Sequence, residues 1–302
     1  MDIRTFSVNP DVEEDQLTAY LLEPSPEMRN TPRPAVLILP GGAYLSTSDR
    51  EAEPIALEFA AEGCQTFVLR YTVGQMEPGH PALPECLYEA VSAVALIRAH
   101  AEEWDIDPAN INVCGFSAGG HLALMCATSW RRVAEELELD PELARVNGSI
   151  TGYPLSDYRV QLSDECRNVM DEQSRQLMDV GTIAMFGSAE PSEKELDEFS
   201  PARSVGPDTP PGFIWATSAD SLVPALHSLA YAWALATEGI PYELHIFEKG
   251  KHGLSLATPA TRDKKGGAVD AEAAAWIDLA RAWIRRDHAR GPVERGNVGG
   301  NL

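Results

Sequence analysis

The chain has 302 residues, of which 44% are hydrophobic and 7% aromatic, and its formal net charge is −22. This composition is typical of a soluble globular protein that buries a substantial core. The negative charge repels phosphate backbones and anionic lipid headgroups, so we predict no nucleic acid partner and no membrane partner.

The start of the chain and its cysteines favour a cytoplasmic protein. Residues 1–6 contain no basic region followed by an apolar one, and no stretch of the sequence reaches the length needed to span a membrane. The five cysteines include no C-x-x-C pair. We therefore predict a cytoplasmic location, with the cysteines as reduced core residues and not as disulfide partners or metal ligands.

Predicted strands alternate with predicted helices over the first part of the chain. Two weakly alternating stretches, 3–8 and 17–22, predict an antiparallel hairpin at one edge of a sheet. The apolar run 35–39 predicts a strand that is buried on both faces. The next elements are a helix over 51–62, a strand over 66–71, a helix over 85–104 and a turn over 107–110.

A nucleophile elbow is predicted at 115–119, where the sequence reads Gly-Phe-Ser-Ala-Gly. A short apolar strand precedes this segment and a helix-favouring run without proline follows it. In that context the G-x-S-x-G pattern indicates a sharp turn that lifts the hydroxyl of Ser117 above the sheet edge. Ser117 would also lie at a helix N-terminus, where free N–H groups favour negative charge. The alternative is a flexible glycine turn with an incidental serine.

The alternation of elements is interrupted once in the second half of the chain. After a predicted strand over 149–154, the segment 155–211 is polar and acidic, and we interpret it as a small cap-like insertion of short helices, with a solvated surface decoration as the alternative. Residues 289–302 are predicted to be a disordered tail, which leaves 1–288 as a single domain. The regular elements that resume are a strand over 212–217, a helix over 224–238, a strand over 242–247 and a helix over 269–287.

This order of elements indicates an α/β fold with a mostly parallel, twisted sheet flanked by helices. Function in such a sheet collects at the carboxyl ends of the strands, where Ser117, Asp220 and His252 all fall. A serine needs a neutral imidazole to take its proton and a carboxylate to orient that imidazole, and the order serine, acid, histidine is that of α/β-hydrolases. We predict that these three residues form a catalytic triad, with a helix cap or turn residue as the alternative for Asp220.

Other residues of the predicted site follow from the same strand ends. Backbone N–H groups of Gly42, Ala43 and Ala118 are the predicted oxyanion donors, and Tyr44 and Tyr153 are predicted to contact the substrate. The sequence has no H-E-x-x-H, no G-x-G-x-x-G after a strand and no Walker loop. We therefore predict no metal and no cofactor.

Seven segments of the sequence form a distinctive set: 40–44, 48–54, 70–71, 115–122, 209–211, 220–224 and 250–256. Together they resemble the bacterial acetylesterases of the α/β-hydrolase superfamily, a group that includes acetyl xylan esterases and BD-FAE-like carbohydrate esterases. The resemblance extends from about residue 30 to residue 285, and it implies removal of acetyl groups from sugar hydroxyls, often on xylo-oligosaccharides. The family's third oxyanion glycine is Ala43 here, and the stretch 155–211 offers no pattern from which the family's acyl size or alcohol carries over, so both stay open.

The sequence therefore predicts a serine esterase that hydrolyses short-chain acyl esters, chiefly acetyl esters of sugars or xylo-oligosaccharides, through an acyl-enzyme. Its partner is a small-molecule ester substrate. Three alternatives stay open: a general short-chain carboxylesterase, a peptidase of the same fold and a non-catalytic receptor for a small ligand. The presence of all three triad members disfavours the receptor, and the sequence does not predict the oligomeric state.

Overall fold

The structure is a computed structural model that describes residues 1–9, 16–28 and 32–286. The predicted tail over 289–302 lies outside the described residues. Within them, one mixed sheet of eight strands runs through the molecule in the order β1-β2-β4-β3-β5-β6-β7-β8. The strands are β1 (Asp2–Phe6), β2 (Leu17–Leu21), β3 (Arg33–Leu39), β4 (Gln65–Leu69), β5 (Ile106–Phe116), β6 (Gly148–Gly152), β7 (Gly212–Thr217) and β8 (Tyr242–Phe247).

Most of the sheet is parallel. The predicted hairpin is confirmed, because β1 pairs antiparallel with β2 at the sheet edge, and β2 pairs antiparallel with β4. The strands from β4 to β8 all pair in parallel. Their carboxyl ends consequently meet at one edge of the sheet.

Helices cover both faces of the sheet. They are α1 (Glu53–Ala61), α2 (Glu85–Ala99), α3 (Ser117–Glu136), α4 (Pro141–Ala144), α5 (Tyr158–Leu162), α6 (Asp164–Val169), α7 (Glu172–Phe186), α8 (Glu193–Glu198), α9 (Leu226–Glu238) and α10 (Trp276–Ile284). No helix in the described ranges is both long and apolar enough to cross a bilayer.

The core consists of two main layers that the central strand β3 separates. Leu37 and Leu39 face one layer, which contains apolar side chains of α2 and α3. Val36 and Ile38 face the other, which contains side chains of α1 and α10. This alternation is the two-residue period of a strand that is buried on both faces. All five cysteines are buried and unpaired.

The segment predicted to be an insertion is helical, and capping side chains stabilise the starts of its helices. Helices α5, α6, α7 and α8 each begin at a residue whose side chain accepts a backbone N–H of the first turn, which stabilises a helix start. These capping residues are Asp157, Ser163, Asp171 and Ser192. The prediction of helices in this segment is confirmed, although α7 has 15 residues and is not short. We call residues 155–211 the cap.

Three predicted boundaries are wrong. The helix predicted over 85–104 ends at Ala99, because the N–H of Ala101 bonds to the carbonyl oxygen of Arg98, three residues back, and the chain continues as turns. Residues 107–110, predicted to be a turn, lie inside β5, where the pairing with β3 passes from Ile106 directly to Ile111 and the intervening residues bulge out. The last helix begins at Trp276 and not near 269. The side chain of Asp270 accepts the N–H groups of Glu272 and Ala273, which stabilises a separate turn before the helix.

Candidate active site

The sharp turn between β5 and α3 places Ser117 at the carboxyl end of the central strands. Ser117 has a φ of 53°, a left-handed conformation that is strained for a residue with a side chain. Glycines on both sides allow this turn. A Cβ at Gly115 would lie 2.1 Å from the carbonyl oxygen of Gly119, and a Cβ at Gly119 would lie 2.1 Å from that of Leu39. The local structure is the strand, turn and helix of a nucleophile elbow.

Three side chains from distant parts of the chain form a hydrogen-bonded row at this edge. Nε2 of His252 lies 2.8 Å from Oγ of Ser117, and Nδ1 of His252 lies 2.7 Å from Oδ2 of Asp220. A carboxylate only accepts hydrogen bonds, so we assign the imidazole proton to Nδ1, which leaves Nε2 able to accept the serine proton. The structure thus brings together all three residues of the predicted triad.

Asp220 uses its two oxygens for different tasks. Oδ2 faces His252, and Oδ1 accepts the backbone N–H groups of Leu222 and Val223 at 2.9 and 3.0 Å. Asp220 is therefore a turn residue, as the alternative interpretation predicted, and a hydrogen-bond partner of His252 at the same time. These bonds hold the carboxylate rigidly in front of the imidazole.

The electrostatics around His252 favour its protonated form. Burial by itself would lower the pKa of His252, but the charge of Asp220, its hydrogen bond and the charge of Glu51 outweigh burial and raise that pKa above its ordinary value. A raised pKa strengthens the imidazole as a base for the serine proton.

A tight turn after β3 faces the serine. Gly42 has a φ of 148° and Ala43 a φ of 55°, and the carbonyl oxygen of Gly42 accepts the N–H groups of Leu45 and Ser46. A Cβ at position 42 would lie 1.9 Å from the carbonyl oxygen of Ser46, so only glycine fits there. Ala43 adopts the left-handed conformation that a third glycine would adopt more easily.

The N–H groups of the three predicted oxyanion donors are available. Among the described residues, the N–H groups of Gly42, Ala43 and Ala118 donate no hydrogen bond. Ala43, Ala118 and Ser117 line the same small pocket. Free backbone N–H groups beside a serine are the kind of donor that stabilises an oxygen with developing negative charge.

A family model described as BD-FAE matches residues 24–235. This chain belongs to the BD-FAE family. The match includes the strand and elbow of Ser117 and the turn of Gly42, and it confirms the resemblance that the sequence segments predicted.

Two relatives of this BD-FAE member carry names that refer to xylan. Endo-1,4-beta-xylanase B of Butyrivibrio fibrisolvens is 33% identical over 230 residues, which cover 74% of this chain and 33% of that protein. Acetylxylan esterase of Xylanibacter ruminicola is 27% identical over 229 residues, which cover 74% of this chain and 42% of that protein. The chain thus spans between a third and a half of the length of these relatives.

A solved structure of similar length supports the same placement. The acetyl ester-xyloside bifunctional hydrolase from Caldicellulosiruptor lactoaceticus has 30% sequence identity and a TM-score of 0.70, over 91% of this chain and 89% of that one. The fold is that of the α/β-hydrolase esterases, as predicted. The chain is accordingly a member of a family of carboxylic ester hydrolases.

The pocket beside Ser117 is small and apolar. Its volume is about 30 Å³. Nearly half of its lining residues belong to the cap, and most of those lie on α7. The apolar side chains that line it are Leu155, Tyr158, Leu177, Met178, Leu222 and Val223.

Tyr44 lines this pocket and connects it to the cap. Its hydroxyl lies 2.5 Å from Nδ1 of His121, and Nε2 of His121 lies 2.8 Å from the carbonyl oxygen of Phe199. Because that carbonyl only accepts, we assign the proton of His121 to Nε2, so that Tyr44 donates to Nδ1. Burial lowers the pKa of His121 to about 4. His121 is therefore a neutral link between the elbow helix, the turn after β3 and the cap.

Tyr153 lies behind the histidine and not among the residues that line the pocket. Its ring packs edge-on against His252, with the ring centroids 4.9 Å apart. Its hydroxyl lies 2.6 Å from Oε1 of Glu51 and accepts the N–H of Ser255 at 2.8 Å. Of the two predicted substrate contacts, only Tyr44 is placed beside the pocket.

Glu51 is the residue that the sequence analysis missed. Its side chain is 4% exposed, and its two oxygens bind Tyr153 and the N–H of Gly41. In the sequence Glu51 begins a predicted helix, where an acidic residue is ordinarily a solvated partner of the helix dipole. Only its position within the segment 48–54, which resembles the acetylesterases, pointed to it.

Proposed function

We propose that this chain is a serine esterase that hydrolyses short-chain acyl esters through an acyl-enzyme. One observation carries the proposal: the continuous row from Asp220 through His252 to Ser117 ends at a small pocket with unpaired N–H groups. A serine hydroxyl with a positioned base, an orienting carboxylate and oxyanion donors is the arrangement that acyl transfer needs.

The first half of the reaction attaches the acyl group to the serine. Oγ of Ser117 attacks the ester carbonyl carbon while Nε2 of His252 takes the hydroxyl proton, and the carbonyl electron pair moves onto oxygen. The N–H groups of Gly42, Ala43 and Ala118 stabilise that oxyanion, with a contribution of about 3 kcal/mol for each well-placed donor. The imidazolium then gives its proton to the departing alkoxide, and the C–O bond to the alcohol breaks.

The second half releases the acid. The imidazole of His252 takes a proton from water, whose oxygen attacks the acyl carbonyl to form a second oxyanion in the same place. The intermediate collapses with protonation of Ser117 Oγ by the imidazolium. A carboxylic acid leaves and the enzyme returns to its starting protonation state.

The pocket supports an acetyl group as the acyl part. A cavity of about 30 Å³ holds roughly two water-sized groups, because each needs about 10–15 Å³ on this measure. Its apolar wall suits a methyl group and offers no charged partner to a longer polar chain. A longer acyl chain would have to displace α7 side chains.

A sugar hydroxyl, including one on a xylo-oligosaccharide, is the alcohol part that we propose. This choice rests on the names of the acetylxylan esterase and the acetyl ester-xyloside hydrolase to which the chain is similar. A general short-chain carboxylesterase would use the same triad and the same pocket. The identity of the alcohol therefore has to be determined by comparing substrates, because the triad and the pocket would be the same for either alcohol.

The deciding experiment measures acetate release by wild type and Ser117→Ala from acetylated xylo-oligosaccharides and from p-nitrophenyl acetate. We expect wild type to release acetate from both and the variant from neither. Release from p-nitrophenyl acetate alone would keep the triad and discard the sugar. No release from either substrate would contradict the proposed esterase.

A further inference from the structure

One buried carboxylate touches both halves of the site that the proposed function uses. Glu51 ends a short 3-10 turn at Asp49–Glu51, directly before α1, and is 4% exposed. Among the described residues, no cation forms an ion pair with it. A buried carboxylate without a cation is costly unless hydrogen bonds satisfy it, so its two hydrogen-bond partners are informative.

The first partner belongs to the turn of the oxyanion donors. Oε2 of Glu51 accepts the N–H of Gly41 at 2.9 Å, one residue before the Gly42 and Ala43 turn. A Cβ at position 41 would lie 2.6 Å from Oε2 and 2.6 Å from the carbonyl oxygen of Phe116. The turn is thus pressed between the carboxylate and the nucleophile elbow, and the direction of the Gly41 peptide fixes the start of the turn.

The second partner belongs to the loop of the triad histidine. The hydroxyl of Tyr153 accepts the N–H of Ser255, three residues after His252, so its own proton points to Oε1 of Glu51 at 2.6 Å. The Tyr153 ring meanwhile packs against the imidazole. Through this single hydroxyl, Glu51 holds both the backbone of the histidine loop and the wall on which His252 rests.

The negative charge of Glu51 also reaches the triad. The charged groups that act on His252 are Asp220, which is hydrogen-bonded to it, and Glu51, which acts over a longer distance. Both favour the imidazolium that forms when the serine proton is taken. Removing the charge of Glu51 would lower the pKa of His252.

We propose that Glu51 is a positioning residue that holds the oxyanion turn and the histidine loop at a fixed separation from one carboxylate, and that its charge supports the imidazolium. This inference rests on the proposed esterase function. The geometry gives Glu51 no contact with the pocket beside Ser117, so it acts through Gly41, Tyr153 and His252 and not on the substrate.

The test compares three variants with wild type on p-nitrophenyl acetate over a range of pH. Glu51→Gln keeps the volume but places an NH₂ group against one of the two donors and removes the charge. We expect its kcat to fall about 100-fold with KM nearly unchanged, because misplaced catalytic groups cost rate and not binding. We also expect the acid limb of kcat/KM to move to lower pH, which a purely structural role would not produce.

The other two variants separate geometry from charge. Tyr153→Phe breaks the link to Ser255 and keeps the charge, so kcat should fall about tenfold with the acid limb in place. Glu53→Gln removes an exposed charge two residues away and should change neither quantity. Far-UV circular dichroism and the melting temperature establish that each variant is folded.

Two results would overturn the inference while leaving the esterase intact. One is a wild-type kcat in Glu51→Gln, and the other is a reduced kcat with an unmoved acid limb. If Glu51→Gln does not fold, a wild-type kcat in folded Tyr153→Phe overturns the inference and a tenfold loss supports it. Absence of turnover in wild type itself would overturn the proposed function, and the inference with it.

Discussion

The sheet edge around Ser117 and the cap over 155–211 face each other across one small pocket, yet they are built differently. At the sheet edge, backbone approaches backbone so closely that Gly42, Gly115 and Gly119 have no room for a side chain. In the cap, helices with their own capping residues present apolar side chains to the pocket. Backbone geometry therefore constrains the residues of the proposed triad and oxyanion turn, while side-chain size sets the shape of the pocket beside them.

The largest effect should come from the nucleophile at the sheet edge. Ser117→Ala removes the proposed nucleophile, so kcat is expected to fall by about 10⁴ to 10⁶. Steady-state turnover of p-nitrophenyl acetate measures this loss, with the unfolding free energy as a check that the fold is intact. Undiminished turnover would remove Ser117 from the mechanism.

Glycine substitutions test the comparison directly. Gly119→Ala places a methyl group 2.1 Å from the carbonyl oxygen of Leu39, and we expect the free energy of unfolding to fall by about 3 kcal/mol. Gly181→Ala in α7 places its methyl group 3.4 Å from the carbonyl oxygen of Ala43, an ordinary contact. Alanine there should raise the stability of the helix by about 0.5–1 kcal/mol.

Urea unfolding of both variants gives these two free energies. Equal destabilisation by the two substitutions would contradict the difference that we draw between the sheet edge and the cap. A stable and fully active Gly119→Ala would show that the elbow has more room than the structure describes.

A change in the cap should alter the choice of acyl chain and leave the chemistry intact. Met178→Ala shortens a side chain that lines the pocket and so enlarges the pocket. The ratio of kcat/KM for butyrate esters to kcat/KM for acetate esters should therefore rise about tenfold. The matched control is Val169→Ala, an exposed residue of the cap outside the pocket lining. An unchanged ratio in Met178→Ala would mean that α7 does not limit the acyl chain.

The smallest expected effect is on the pH profile. Activity should rise with pH as His252 loses its proton, and because the pKa of His252 is raised, the midpoint should lie above its ordinary value of 6.5. Met178→Ala should leave this midpoint in place, since the cap contributes no charge to His252. A midpoint below 6.5 in wild type would contradict the electrostatics of the Asp220 and Glu51 carboxylates.

Much of the sheet edge was predictable because close backbone packing leaves a signature in the sequence. Glycine at 115 and 119 around a serine, with a strand before and a helix after, admits few other structures. The strand ends then put Asp220 and His252 at the same edge, and in the structure their side chains form one hydrogen-bonded row with Ser117. The catalytic role of this row remains a prediction.

Glu51 and Tyr153 could not be predicted in the same way. Their pairing joins residues 102 positions apart, and nothing in the local pattern of either one reveals the other. The bulge in β5 was missed for a related reason, because Asp-Pro-Ala-Asn is a turn sequence that here sits between two paired stretches of one strand. Tertiary contacts decided both cases.

His252 is hydrogen-bonded to Ser117 and His121 lines the same pocket as Ser117, but the two histidines respond differently to acid. The pKa of His252 is raised above its ordinary value, whereas burial lowers the pKa of His121 to about 4, so His121 stays neutral and keeps its hydrogen bonds to Tyr44 and Phe199 when His252 becomes protonated. The hydrogen bonds from Tyr44 through His121 to the cap therefore do not change when His252 gains a proton. Mild acid should therefore lower the rate of hydrolysis of every ester by the same factor and leave the ratio of rates between different esters unchanged.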